Sequence, residues 1–184
     1  MRSPAPKDLL AASTEPRPML DGHEIAAVWT AVSQSRTAEA LQKIDSIAQR
    51  IIGHKFISIM SFDPARHELR RVYSQHPEHY PVGARKSLQG VSWYAPVLKR
   101  LEILHVPDSR ALMSVFEDHE LLNSLGLGSS VNSPIISGSR CIGTLNLFHE
   151  DGWYEAPDFD AVRSVSYLLA PLLLSLEIGD LAVS

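Results

Sequence analysis

The stretch SVNSPIISGSRCIGTLNLFHE, residues 130–150, constrains this chain more than any other. Two apolar runs flank Gly138-Ser139, a turn-forming dipeptide, so the segment reads as a β-hairpin. A second hairpin precedes it. KFISIMSF (55–62) is rich in β-branched and aromatic residues, Asp63-Pro64 makes a turn, and HELRRVYS (67–74) sets Leu69, Arg71 and Tyr73 against Arg70, Val72 and Ser74. Helical spacing dominates the two ends. Ile25, Val28, Trp29 and Val32 recur along one face, and after Thr37, the expected N-cap, so do Leu41, Ile44, Ala48, Ile51 and Ile52, with Gly53 as the stop. Pro157 suits the first turn of a closing helix that carries Val162, Val165, Leu168, Leu169, Leu172 and Leu176 on one face, and Pro171 is expected to kink it. Two hairpins without a strand-helix rhythm predict an α+β fold: a largely antiparallel sheet with helices on its faces.

Composition narrows the function classes. A chain of 184 residues with 45% hydrophobic content fits one domain, placed at 23–181, with residues 182–184 as its C-terminal end. Residues 1–22 hold Pro4, Pro6, Pro16 and Pro18 among small and charged residues, a composition expected to stay disordered and too short for an output module. A formal charge of -4 with scattered Lys and Arg excludes a basic stripe for nucleic acid. No signal-peptide core is visible, and LLAPLLLSL is too short for a membrane span of ~18 residues. The single cysteine, Cys141, excludes an internal disulfide and a cysteine metal cluster, and a reducing cytoplasm is the expected setting. His76 and His79 are separated by Pro77, which breaks helical alignment, and no carboxylate cluster completes a ligand set, so no metal site is expected.

Between the hairpins, QHPEHYPVGARKSLQGVSWYAPVLKR (75–100) mixes turn formers with aromatics and a short helical piece at Ser92 to Arg100. A long irregular stretch inside a compact domain is usually functional. ILHV (103–106) reads as a short strand and Ala111 to Leu122 as one helix.

This order, with the Pro-ending strand, the tight glycine turn, Ile142-Gly143 opening the next strand and the amphipathic closing helix YEAPDFDAVRSVSYLLAPLLLSL, resembles the GAF domain family of small-molecule sensor modules. The resemblance implies a sheet of five or six strands, terminal helices packed on one face, and a lid of loops and short helices closing a ligand pocket over the other. Members that reduce free methionine sulfoxide use a cysteine where Asn123 stands here, a second cysteine to resolve it, and carboxylates where Ser130, Asn146 and Phe148 stand. One cysteine cannot run a disulfide cycle, so that activity is not expected. No lid cysteine is available to attach a bilin, and Leu147 after Asn146 breaks the asparagine-lysine motif of cyclic-nucleotide binders.

Asn132 and Asn146 stand where packing alone favours valine. With a two-residue turn Asn132 opposes Leu145 and the amides face apart; with a bulged turn the two asparagines oppose each other. The carboxylate positions of the family imply the bulged register, with Ser130, Asn132, Thr144 and Asn146 toward the ligand. The lid adds Tyr80, Arg85, Lys86, Trp93 and Tyr94 as aromatic faces and cationic donors, with Phe116 and His119 on the following helix and Tyr73 as a weaker candidate beside Arg71. The expected function is a ligand-binding sensor domain without catalytic residues or a cofactor, signalling through a partner protein or through a homodimer of its terminal helices. The alternative is a cysteine-independent enzyme using His119 or His149.

Overall fold

A computed structural model describes residues 19–154 and 158–182. The expectation for residues 1–18 and the helix-opening role of Pro157 lie outside the described residues. Helix α1 spans Gly22–Ser33 and is capped by Asp21, whose side chain accepts from His23 N while Glu24 closes the capping box. Asp21 and Gly22 therefore belong to the folded part. Helix α2 is Thr37–Ile51, so Thr37 is its first residue rather than its cap; Arg36 holds the cap position without a side-chain bond. Gly53, at φ +83°, ends that segment as expected.

Strands β1 (Phe56–Asp63), β2 (Glu68–Ser74), β3 (Arg85–Ser87), β4 (Leu104–Val106), β5 (Ser129–Ser137) and β6 (Arg140–His149) form one sheet in the order β3-β2-β1-β6-β5-β4. Every neighbouring pair is antiparallel. The lid contributes β3, an edge strand not expected from its sequence, and a π-helical turn at Ala95–Lys99 inside the predicted helical piece. The helix expected at Ala111 to Leu122 is two helices, α3 (Ser109–Val115) and α4 (His119–Ser124), because Phe116 takes extended backbone and turns its ring inward. Asp108 caps α3 through Ala111 N at 2.8 Å.

The closing helix α5, Asp158–Ala182, runs through Pro171. Its segment Phe159–Leu176 has a mean hydropathy of 1.3, enough by length and composition for a membrane span, in contrast to the sequence expectation. Val162, Val165, Leu169 and Leu172 of that segment are fully buried, packed with α1, α2 and the strand residues Ile57, Ile59, Val131, Leu145 and Leu147. Full burial of such side chains contributes about 1.5–3 kcal/mol each. Gly143 lets α5 press onto β6: a Cβ there would lie 2.3 Å from Met60 O and 2.6 Å from Leu173 Cδ1. A second apolar cluster on the opposite sheet face joins Phe56, Leu69, Leu88, Trp93, Leu112, Phe116 and Phe148 beneath the lid.

Candidate functional site

Two bulges decide which side chains face the lid. In the β5-β6 hairpin Ser137 pairs with Arg140 and Ile136 with Cys141, so the turn is the two-residue Gly138-Ser139. Ile135 nevertheless pairs with Gly143, leaving Ile142 as an extra residue. Beyond that point Asn132 opposes Asn146. The register implied for the asparagines is the one observed, although the extra residue sits in β6 and not in the turn. A second irregularity lies in β2: Ile59 pairs with Tyr73 but Met60 with Arg71, which leaves Val72 as the extra residue. Simple alternation would put Arg71 and Tyr73 on one face. The bulge sends Arg71 toward the lid and Tyr73 toward the helices.

The asparagines form the middle of a buried polar row across the sheet. Asn132 Nδ2 donates to Asn146 Oδ1 at 2.7 Å, Ser130 Oγ donates to Asn132 Oδ1 at 3.2 Å, and Asn146 Nδ2 donates to Ser58 O at 3.1 Å and Thr144 Oγ1 at 3.2 Å. An unpaired buried amide costs about 1–3 kcal/mol, so these bonds account for both residues. Arg71 Nε extends the row by donating to Ser58 Oγ at 3.0 Å.

Above this row lies a narrow cleft, open at its mouth, whose accessible volume of about 50 Å³ is small beside the roughly 300–1,000 Å³ of small-molecule pockets. Its floor is Phe56, Ser58, Met60, Asn132, Asn146 and Phe148; its walls are Arg71, Tyr80, Lys86, Trp93, Phe116, Asp118 and Leu122. The apolar wall is aromatic: Phe56 stacks on Tyr80 (4.8 Å between centroids) and on Phe148 (5.5 Å), and Phe116 tilts against Phe148 (5.6 Å). Tyr80 donates to Asp118 Oδ2 at 2.9 Å, and Arg71 lies over its ring at 5.0 Å. Burial, reinforced by the Asp118 charge, pushes the Tyr80 phenol well above its ordinary range. Burial pulls the Arg71 guanidinium down, partly offset by Tyr80 and Asp118. Lys86 Nζ sits 5.8 Å above the Trp93 ring. A wider, open recess of about 290 Å³ adjoins the cleft, sharing Lys86, Trp93 and Phe116 and adding Met113, Glu117 and His119.

Among the sequence candidates, Asn132, Asn146, Lys86, Trp93, Tyr80 and Phe116 line the cleft, and His119 lines only the outer recess. Ser130 and Thr144 are completely buried within the polar row and do not reach the cleft wall. Arg85 is exposed and paired with Glu68 at 3.4 Å, and Tyr94 packs against His67 and Lys99; neither lines the cleft. Tyr73 donates to Asp45 Oδ2 at 2.5 Å on the helix side. There Asp45 Oδ1 also meets His54 Nε2 at 3.1 Å. Burial alone would raise the Asp45 carboxyl, but the bonds from His54 and Tyr73 outweigh it and hold the group below its ordinary value. Phe56, Ser58, Met60 and Leu122 are cleft residues that sequence reasoning missed, and Arg71 was undervalued. The alternation in KFISIMSF carried the signal for the first three, since residues 56, 58 and 60 share one strand face.

His149 faces the helices, stacked on Trp153 at 3.7 Å, and burial lowers its imidazole to about 4. His119 Nδ1 lies 3.0 Å from Phe116 O. Burial pushes the Cys141 thiol up to about 11, and its Sγ donates to Gly143 O. Among the described residues no group of three or more His, Cys, Asp or Glu comes together to hold a metal ion.

No protein-family profile and no curated protein matches the sequence. Solved structures do match. The chain is similar to the GAF domain of a phosphoenolpyruvate-protein phosphotransferase from Coxiella burnetii, with a TM-score of 0.62 and 16% identity over 88% of this chain and 99% of that one. It is similar to the GAF domain/HD domain protein from Geobacter sulfurreducens (TM-score 0.63, 11% identity, 77% and 94% covered). A methyl-accepting chemotaxis protein also matches (TM-score 0.60, 14% identity, 84% and 97% covered). These likenesses, with the antiparallel six-stranded sheet, establish a GAF-like fold.

Proposed function

We propose that this chain, with its GAF-like fold, is a sensory or regulatory module that binds a small molecule in the cleft between sheet and lid and passes the signal on by a change in lid order. One observation carries the proposal: an aromatic-walled cleft in which Arg71 Nη1 and Nη2 and Lys86 Nζ have no hydrogen-bond or ion-pair partner among the described residues. Polar groups held unpaired at an apolar wall are placed to meet a ligand. The chemotaxis protein among its structural neighbours is consistent with a sensory role. Binding is favoured over catalysis because His149 faces away from the cleft and His119 is turned to Phe116 O.

The signal leaves, in this proposal, through a homodimer or a partner protein in a reducing cytoplasm. Trp29 on α1 is 53% exposed and Tyr167 on α5 is 61% exposed, with Leu174 two turns further along α5; such apolar residues support pairing through the terminal helices. Native mass spectrometry of the gently purified full chain, repeated after denaturation, tests the ligand. The expected result is an adduct lost on denaturation. A bare mass, together with a melting temperature that no metabolite fraction raises, overturns the proposal.

A further inference from the structure

Hydrogen-bonding capacity in the cleft is lopsided toward donors. The asparagines satisfy one another and the backbone, so Asn146 has no N–H left to offer. The free donors are the Nη groups of Arg71 and the Lys86 ammonium, with the second Nδ2 N–H of Asn132 and the Ser58 hydroxyl beside them. Against them stands Asp118, one of whose oxygens already accepts from Tyr80. The charged lining residues, Arg71 and Lys86 against Asp118, leave a net charge of +1.

We propose that the cleft selects small monocarboxylic acids with a flat apolar body, the carboxylate held by the Arg71 fork and neutralised further by Lys86; this deepens, and rests on, the reading of the cleft as a ligand pocket. A guanidinium presents paired donors that match the two oxygens of a carboxylate. Its Nε is already tied to Ser58, which fixes the plane of the fork while Nη1 and Nη2 stay free. Burial makes this cation costly beyond what Tyr80 and Asp118 offset, so an anion that pairs with it recovers part of that cost on binding. One net positive charge matches a monoanion, whereas a phosphate dianion would remain under-neutralised beside Asp118. The stacked Phe56, Tyr80 and Phe148 offer flat faces to an aromatic or branched apolar body.

The probes are benzoate, phenylacetate and 3-phenylpropionate, their neutral amides, and phenyl phosphate, titrated into the full chain with calorimetry and tryptophan fluorescence. At least one acid is expected to bind saturably with a Kd of about 1 mM or tighter. Its amide should bind at least tenfold more weakly. Arg71→Met should weaken the acid by about tenfold to a hundredfold. The partly exposed Lys86→Met should lower affinity in the same direction, with melting temperature and far-UV CD unchanged, which separates binding from folding. The assignment is overturned if amide and acid bind alike, if phenyl phosphate binds tighter than the acids, if a folded Arg71→Met keeps full affinity, or if no acid binds at about 20 mM. A neutral adduct in native mass spectrometry, displaced without any role for Arg71, would sink the anion assignment and leave the sensor reading standing. A bare mass with no thermal shift would sink both.

Discussion

Leucine at Asn132, at Asn146 and at both positions makes a thermodynamic cycle whose outcome follows from the polar row. Leucine keeps the branched shape at Cγ and removes every hydrogen bond. Asn146→Leu strands the Asn132 Nδ2 donor, bonded at 2.7 Å, and withdraws the donor from Ser58 O and Thr144 Oγ1. With about 1–3 kcal/mol for each buried group left unpaired, and hydroxyls able to turn to other acceptors, that single change should cost about 3 kcal/mol. Asn132→Leu strands Asn146 Oδ1 and the Ser130 hydroxyl and should cost about 2 kcal/mol. The double variant leaves neither amide unpaired, only the Ser58 carbonyl and hydroxyls that can rotate, and should cost about 2–3 kcal/mol rather than their sum of about 5. Urea unfolding followed by far-UV CD, with m-values unchanged across the four proteins, reads these energies directly. At this chain length each kcal/mol moves Tm by about 2–4 °C, which gives an independent check. Costs that add to within about 0.5 kcal/mol would refute the reasoning, because uncoupled amides cannot be partners and the register that opposes them would be wrong.

Other consequences are equally direct. Gly143→Ala places a Cβ against the Met60 carbonyl, which belongs to the neighbouring strand and cannot give way; a loss of about 2–4 kcal/mol in urea unfolding is expected. The Asp45 carboxyl is held below its ordinary 3.8 in the folded state, so its contribution is fully present at pH values above that figure and is lost as pH falls through the folded value. Asp45→Asn should therefore flatten the acid limb of a stability-pH profile, and a profile that keeps its wild-type steepness would remove this group from the account. Cys141, buried and with its thiol pushed up to about 11, should react with a disulfide reagent at neutral pH far more slowly in the native protein than in urea. Equal rates in the two states would show that the thiol is accessible.

Both bulges act as aiming devices. A strand alternates its side chains, so one extra residue reverses the facing of everything beyond it relative to the neighbouring strand. Were Ile142 paired in the ladder instead of bulged, Leu145, not Asn146, would stand opposite Asn132. Were Val72 paired in regular alternation, Arg71 and Tyr73 would share a face, and either Arg71 would leave the cleft or Tyr73 would leave Asp45. The cleft owes its cation, and the helix side its Tyr73-Asp45-His54 network, to the same inserted residue.

Local chemistry was enough to read the elements whose signals are local. Apolar residues at helical spacing place α1, α2 and α5, β-branched and aromatic runs place the four long strands, and Asp63-Pro64 and Gly138-Ser139 place their turns. The antiparallel α+β architecture follows from that order, because hairpins pair with themselves and leave the helices to cover the faces. Two kinds of information were beyond such reasoning. A bulge has no residue signature here: Val72 and Ile142 look like ordinary strand residues, and only the register locked by β1 and β6 pairing reveals them as extra. The lid is the other. Arg85–Ser87 becomes a strand because the edge of β2 offers it partners, and the predicted helix across Phe116 breaks because that ring gains more in the cluster with Phe148 than the helix gains from one more turn. Which polar side chains meet in the cleft, and which of them are left with free donors, was settled by those long-range contacts.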